Sequence, residues 1–340
     1  MSYRVNTIPM PTWNHLKVNY APDIFERDVN KSEKIRAYSV SHVFDDMISG
    51  AGIDFDNDVK ANASVIKCKS VAAKSGDNTF VSEYKNSVVR ECLEVLEGAE
   101  AELVQIISSD NDEKLDLLTQ VYAHKNARVK LYLLNLSGNR SDARISVAIK
   151  TEENADVEVV RIAMGGLHSL YGIRSDLTGD NSRCNVTTAY LADNDEILDM
   201  NDSSLFYGKE TFSEIKAIGL LTGRAYKTLR ETVDFKRGCV HAIGHEGEDT
   251  VMLSDEVTNL TTPLILCGEE WVEGMHAATT TRLDDDMLFY LQSRGIPLRD
   301  AKRLIIESRF SPVVDMISNE DIKNRVIKSI GERLDALSEL

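Results

Sequence analysis

Positive charge is scarce in this chain. It has 39 Lys and Arg against 55 Asp and Glu, a formal charge of −16. Such a surface repels phosphate backbones and anionic lipid, so neither nucleic acid nor a membrane is an expected partner. Paired cysteines are lacking too. Cys68, Cys92, Cys184, Cys239 and Cys267 are odd in number, scattered and without a CxxC pair. That argues against a disulfide framework and against a ready-made zinc or four-cysteine cluster site. No run approaches the roughly 20 apolar residues of a membrane span. The start, MSYRVNTIPMPTWNHLKVN, lacks the apolar core of a signal peptide, and a cytoplasmic location is expected. There is no GxxxxGK(S/T) loop, so the chain is not expected to carry an ATP site. GxGxxG, GxSxG and HExxH motifs are also absent.

The most informative pattern present is a repeat. Gly98-Ala99-Glu100-Ala101-Glu102-Leu103 is echoed by Asn126-Ala127-Arg128-Val129-Lys130-Leu131 and by Asn154-Ala155-Asp156-Val157-Glu158-Val159, at a constant spacing of 28 residues. A weaker echo falls at Ser182–Val186. Each unit has a turn-prone residue, a small residue, then apolar and polar side chains in alternation, which marks a strand with one buried face. A fixed period of this size points to units that lack a core of their own and stack on their neighbours. A parallel β-helix fits best. An ordinary β-sandwich with recurring strands is the rival, and Glu83–Glu97 also reads as a helix.

The ends differ. Asp284-Asp285-Asp286 supply a capping side chain and negative charge for a helix carrying Met287, Leu288 and Leu291. Gly295 gives it a left-handed stop. Pro297 opens a second helix, with Ala301, Leu304 and Ile305 as its apolar set, and Pro312 is expected to interrupt it. A third helix starts near Ser318-Asn319 and places Ile322, Val326, Ile330, Leu334 and Leu337 at helical spacing. Near the start, Lys34–Ile48 reads as a helix, and Gly50 and Gly52 with the following Asp/Asn cluster read as a linker. The expected organisation is a mixed or helical region over 1–62, a β-helix core over 63–281 and a helical domain over 282–340, with the helical regions as caps.

Few residues stand out as chemistry. His241 and His245 have i, i+4 spacing, but in a Gly-rich β region where turn or surface roles are expected. Cys267 closes the apolar run Pro263–Cys267 and is either a thiolate ligand or a buried structural cysteine. His276, in Glu273-Gly274-Met275-His276-Ala277-Ala278-Thr279, stands where the β pattern gives way to helix. It is either an iron ligand or a structural histidine.

At this junction the sequence resembles the SufB/SufD family of iron–sulfur cluster assembly proteins. His276-Ala277-Ala278-Thr279, then Leu283-Asp284-Asp285-Asp286, then Leu288-Phe289-Tyr290-Leu291-Gln292-Ser293-Arg294-Gly295-Ile296 matches its C-terminal signature. Asp234–Gly238 and Pro263–Glu270 are similar as well. The resemblance implies a right-handed parallel β-helix, a non-enzymatic scaffold role and a SufC-type ABC ATPase partner. That ATPase would dock on the segment from Asp284 to about Phe310, through Asp286, Phe289, Tyr290, Leu291, Arg294, Gly295 and Ile296. It also implies pairing with a SufB-like paralogue or a second copy of the chain, and an iron–sulfur cluster held transiently and shared with that partner. The family histidine maps onto His276. SufB members carry a Glu after it and an upstream cysteine, where this chain has Ala277 and Glu248. This favours the SufD side and leaves Cys267 as the one thiol near the motif. A carbohydrate-active β-helix enzyme and a purely structural scaffold are the alternatives.

Overall fold

The computed structural model describes residues 3–12, 14–22, 24, 40–73 and 78–337. Its strands form two eight-stranded sheets. The first sheet holds β1 (Val65–Val71), β3 (Ser87–Val95), β5 (Lys114–Ala123), β7 (Asp142–Thr151), β9 (His168–Leu177), β11 (Ile197–Phe206), β13 (Tyr226–Phe235) and β15 (Thr258–Cys267). The second holds β2 (Thr79–Tyr84), β4 (Glu100–Ile107), β6 (Arg128–Asn135), β8 (Asp156–Ala163), β10 (Arg183–Ala192), β12 (Phe212–Leu221), β14 (Ile243–Met252) and β16 (Glu273–Thr281). Each odd strand and the even strand after it make one coil. Strands of successive coils pair in parallel, as in β5 with β7 and β6 with β8. The chain is therefore mainly β, a parallel β-solenoid, and the sandwich alternative falls.

The 28-residue repeat is the corner between the two sheets. Gly98, Asn126, Asn154 and Asn181 sit at φ of 67°, 58°, 56° and 58°, and Glu210 and His241 occupy the same place at 56° and 61°. Asn and His tolerate this left-handed region better than most side chains. The next residue, Ala99, Ala127 or Ala155, is fully buried, because only a small side chain fits inside the corner. Successive corners are tied by the backbone: Gly98 N–H donates to Lys125 O at 3.0 Å, Asn126 to Glu153 at 2.9 Å and Asn154 to Asp180 at 2.9 Å.

Glu83–Glu97, which also read as a helix, consists of β2 and β3. The apolar set Val89, Leu93 and Val95 is buried on one face of β3. The expected linker at Gly50 is instead a docking point. A Cβ on Gly50 would lie 2.3 Å from the Gly172 carbonyl carbon, so glycine is there for close approach. The residues that follow form α1 (Ile53–Asn62). Of the helix expected over Lys34–Ile48, residues 34–39 lie outside the described residues, and the rest holds only a 3₁₀ turn at His42–Phe44.

Helices stand at both chain ends, and they lie along the flanks of the solenoid. Ala51, Phe55 and Val59 pack on Leu118 and Leu170 of the first sheet. On the second sheet, α3 (Leu298–Val314) and α4 (Glu320–Ala336) cover Ile106, Leu134, Ile162, Leu191, Leu220 and Val251. Ile322, Val326, Ile330, Leu334 and Leu337 are all buried, as the spacing predicts. In α3, Ile306 and Phe310 face the sheet, whereas Leu304 is exposed. Pro312 does not interrupt α3. It falls in the last turn, two residues before the helix ends at Val314.

Glu210 is the one corner residue whose side chain gains nothing in the left-handed region. Glu210→Asn is expected to raise stability by up to about 1 kcal/mol, and Asn154→Ala to lower it similarly. Thermal midpoints of the two variants against the parent check this.

Candidate functional site

The last coil, like the first, has a neighbour on one side only. On β14 the residues alternate between buried and half-buried, with Gly244, Glu246, Glu248 and Thr250 turned into the lumen. On β16, His276 is the register partner of Glu246, and Ala278 that of Glu248. Register partners on parallel strands face the same side at about 4.8 Å. His276 therefore stands on the lumen face of the terminal coil, over the Glu246 carboxylate, and lies within the strand β16 rather than after it. His276 is exposed. The two residues line a shallow concavity of about 640 Å³ with Glu214, His245, Asp249 and Met275.

Beneath this opening the lumen is charged. Lys227 Nζ is 2.5 Å from Glu248 Oε1, both fully buried. Glu248 also accepts from Tyr190 OH at 2.6 Å and Thr261 Oγ1 at 2.5 Å. Further in, Arg161 pairs with Asp202 at 2.5 Å. Glu246 has no such partner. It is 3% exposed, and neither carboxylate oxygen makes a well-formed hydrogen bond among the described residues. Burial pushes it up to about 8, offset in part by the backbone amides of Val233 and Leu264 facing it. Glu231 is raised well above the carboxylate range, first by burial and then by Glu248 and Glu246. Lys227 is lowered by burial. The signal for this file in the sequence is thin: glutamates two apart in a Gly-rich run, whose common facing is fixed only by the strand.

Cys267 ends β15 and is exposed. It is not brought to His276. A Cβ on Gly274 would meet Ile265 Cγ2 at 3.1 Å, so these two face one another across the lumen. Cys267 lies two residues from Ile265 toward the turn, and His276 two residues from Gly274 away from it. At about 3.3 Å per residue they are roughly 13 Å apart along the strands, too far to share one ion. His241 occupies a left-handed corner, and His245 packs edge-on against Phe212 at 5.8 Å. Among the described residues no group of three or more His, Cys, Asp or Glu is arranged around one metal position.

Three residues, 282–284, join β16 to α2 (Asp285–Ser293). Asp284 Oδ1 caps this helix, accepting from the backbone amides of Asp286 at 2.9 Å and Met287 at 3.1 Å. At the other end Gly295 has φ 88°, Gly295 N–H donates to Gln292 O at 2.9 Å and Ile296 N–H to Leu291 O at 3.2 Å. This double bond pattern with Leu291 and Ile296 in contact is a Schellman stop. The signature residues thus divide. Leu291, Gly295 and Ile296 build the α2–α3 turn against Leu288, Ala301 and Ile305. Asp286, Phe289, Tyr290 and Arg294 are exposed, Phe289 at 73%, with the Arg294 guanidinium 5.3 Å from the Tyr290 ring centre.

Because Glu246 keeps its proton in the folded chain between pH 4.5 and about 8, and loses it when unfolded, stability falls as pH rises across that window. Glu246→Gln is expected to be more stable than the parent at pH 9 and nearly equal to it near pH 4. Chemical denaturation at the two pH values reads the difference.

Comparison with known proteins identifies the family. Residues 78–309 match the family model described as SUF system FeS cluster assembly, SufBD core domain. The chain is 26% identical over 160 residues to the iron–sulfur cluster assembly protein SufD of Bacillus subtilis, covering 47% of this chain and 37% of that protein. It is 23% identical over 258 residues to SufD of Escherichia coli, covering 74% of this chain and 60% of that protein. An iron–sulfur cluster assembly SufBD family protein of Mycobacterium tuberculosis is 33% identical over 118 residues, 35% of this chain and 27% of its own length. These alignments span less than two thirds of each relative. With its core domain matched from β2 through most of α3, the chain belongs to the SufBD family of the SUF iron–sulfur cluster assembly system.

Proposed function

We propose that this chain is a SufD-like scaffold subunit that shares a nascent iron–sulfur cluster with a SufB-like paralogue across the open end of its solenoid. The single observation that carries this reading is the terminal coil. There an exposed imidazole, His276, lies in register over a buried carboxyl group, Glu246, that makes no well-formed hydrogen bond among the described residues. Two ligands of this kind do not complete a coordination sphere for iron, so the remaining ligands belong to a partner. Edge strands β15 and β16 offer unpaired backbone groups for such a partner. Met275 beside the imidazole and Trp271 in the turn before β16, 54% and 68% exposed, give it apolar area. A second copy of the chain would bring two imidazoles and no added thiol near them, which favours a paralogue that supplies cysteine. Cys267, at the far side of the coil, would meet the partner separately from His276.

The SufC-type ATPase is assigned to the exposed face of α2, with Phe289 and Tyr290 as anchors and Asp286 and Arg294 as polar rim. The short link between α2 and β16 gives it a direct hold on the edge strand. ATP-driven closure of the ATPase would displace α2 and with it the strand that carries His276, timing the access of iron and sulfide to a site otherwise shielded from water and oxidant. The cluster is cargo in this scheme, and the chain acts as scaffold rather than enzyme, in the cytoplasm.

His276→Ala is expected to leave folding intact, since the side chain is exposed, and to lower several-fold the iron and acid-labile sulfide recovered from the reconstituted, anaerobically purified complex. Unchanged recovery would remove His276 from the site. Phe289→Asp with Tyr290→Ser is expected to abolish co-purification of the ATPase, and retained binding would move its docking surface elsewhere.

A further inference from the structure

A different feature lies at the opposite end of the solenoid. Cys68 of β1 and Cys92 of β3 are register partners. Their neighbours along the outer column are Gln120 and then Ala148. Both thiols therefore point to the outer face of the first sheet, beneath Val40, Val43, Phe44 and Met47. Neither is in a disulfide, Cys68 is half-buried and Cys92 is fully buried. Cys92 Sγ donates to Gln120 Oε1 at 3.7 Å, and Gln120 is held in place by its own bond to Phe44 O at 2.8 Å. A cation sits beside them: Arg90 Nε donates to the same Gln120 oxygen at 2.9 Å, while Arg90 Nη2 is buried with no partner among the described residues. A half-buried thiol, a buried second thiol and a neighbouring guanidinium are the parts of a reactive dithiol.

We propose that Cys68 and Cys92 form a peroxide-responsive dithiol, with Cys68 as the attacking thiolate and Cys92 as the resolving thiol. The Cys68 sulfur attacks the distal oxygen of a hydroperoxide, the O–O bond breaks, and the leaving alkoxide or hydroxide takes a proton. This gives a Cys68 sulfenic acid. The Cys92 sulfur then attacks the Cys68 sulfur, the S–O bond breaks and water leaves. The two thiols lose two electrons and two protons together, and the hydroperoxide becomes an alcohol, or water, plus one further water. Neighbouring parallel strands lie about 4.8 Å apart, inside the roughly 4.4–6.8 Å that Cα atoms of a disulfide span. The strand spacing thus places the two Cα atoms within the span of a disulfide. The contact with Cys92 holds the Cys68 thiol low, at about 7, and pushes Cys92 up. Arg90 lowers both thiols, and Glu91 opposes it at Cys68. Cys267, the exposed thiol, has no second cysteine beside it in register, since its partner on β13 is Phe235.

The test is treatment of the full chain with equimolar hydrogen peroxide at neutral pH, followed by peptide mapping without reductant. The expected product links the peptides of Cys68 and Cys92. Cys92→Ser is expected to leave a sulfenic acid at Cys68 that dimedone traps. Cys68→Ser is expected to slow peroxide consumption by about ten-fold relative to Cys267→Ser. Oxidation confined to Cys267 in the unaltered chain would overturn the proposal whatever the variants do. So would a folded Cys68→Ser chain that consumes peroxide at the parent rate.

Discussion

Each interior coil of the solenoid is held by the coil on either side, and the coil at each end by only one. The openness of the last coil, the proposed site, follows from that asymmetry. In the interior coils the corner residue donates its N–H to the next corner, and the small residue after it closes the core. Residues on β15 and β16 have no next coil, and they are half-buried or exposed throughout. An edge of this kind is normally blunted by charge or proline. Here Pro263 removes one donor from β15, which an edge strand tolerates, while Thr279, Thr280 and Thr281 leave β16 with uncharged side chains. A surface built this way is suited to being covered, and covering it restores to the last coil the neighbour that the others have.

The charged lumen behind the edge makes the same point energetically. Burying Lys227 and Glu248 costs several kcal/mol per ion, and their pairing returns most of it only because Tyr190 and Thr261 complete the shell. A solenoid does not need such groups at every level: across β5 to β7 the lumen holds Val121, Leu131 and Val147. Glu246 goes further, being buried with no well-formed bond. A carboxyl in that position keeps its proton at neutral pH. It becomes a better acceptor as soon as a cation approaches, because the cation replaces the lost solvation. In the proposed scaffold role this property couples iron entry to proton release one register position below His276.

Much of the fold was legible because each corner needs a left-handed residue followed by a small one, and Gly98-Ala99, Asn126-Ala127 and Asn154-Ala155 spell that requirement out. The helix stops were legible for the same reason, Gly295 above all. What misled were residues with two physical uses. Gly50 suits a flexible link as well as a close backbone approach, and only the position of Gly172 distinguishes them. The stretch Glu83–Glu97 places apolar residues at spacings that serve either a helix or a strand with both faces covered, and the packed flank decides for the strand. In the proposed site, His276 stands out in the sequence by its motif. Glu246 does not, since its importance depends on a register partner 30 residues away. The Cys68–Cys92 pair was hidden likewise, its two members 24 residues apart and meeting only through the stacking of β1 on β3.

The flank helices bear on how force could reach the edge. Arg325 of α4 grips Glu83 in the first coil at 2.7 Å, Arg333 grips Glu196 at the start of the sixth at 2.7 Å, and Arg309 of α3 grips Asp249 in the seventh at 2.8 Å. With the apolar seam between them, α3 and α4 are fastened along nearly the whole rod. A load on them is shared among many coils and moves none. α2 is placed otherwise. It touches α3 through Leu288, Leu291 and Ile296, and its only covalent upstream neighbour is the three-residue link to β16. A pull on its exposed aromatic face is therefore resisted by a small apolar contact on one side and by a single pair of strands, β14 and β16, on the other. Of all the ladders in the solenoid, the one beneath His276 is the one such a pull would strain first.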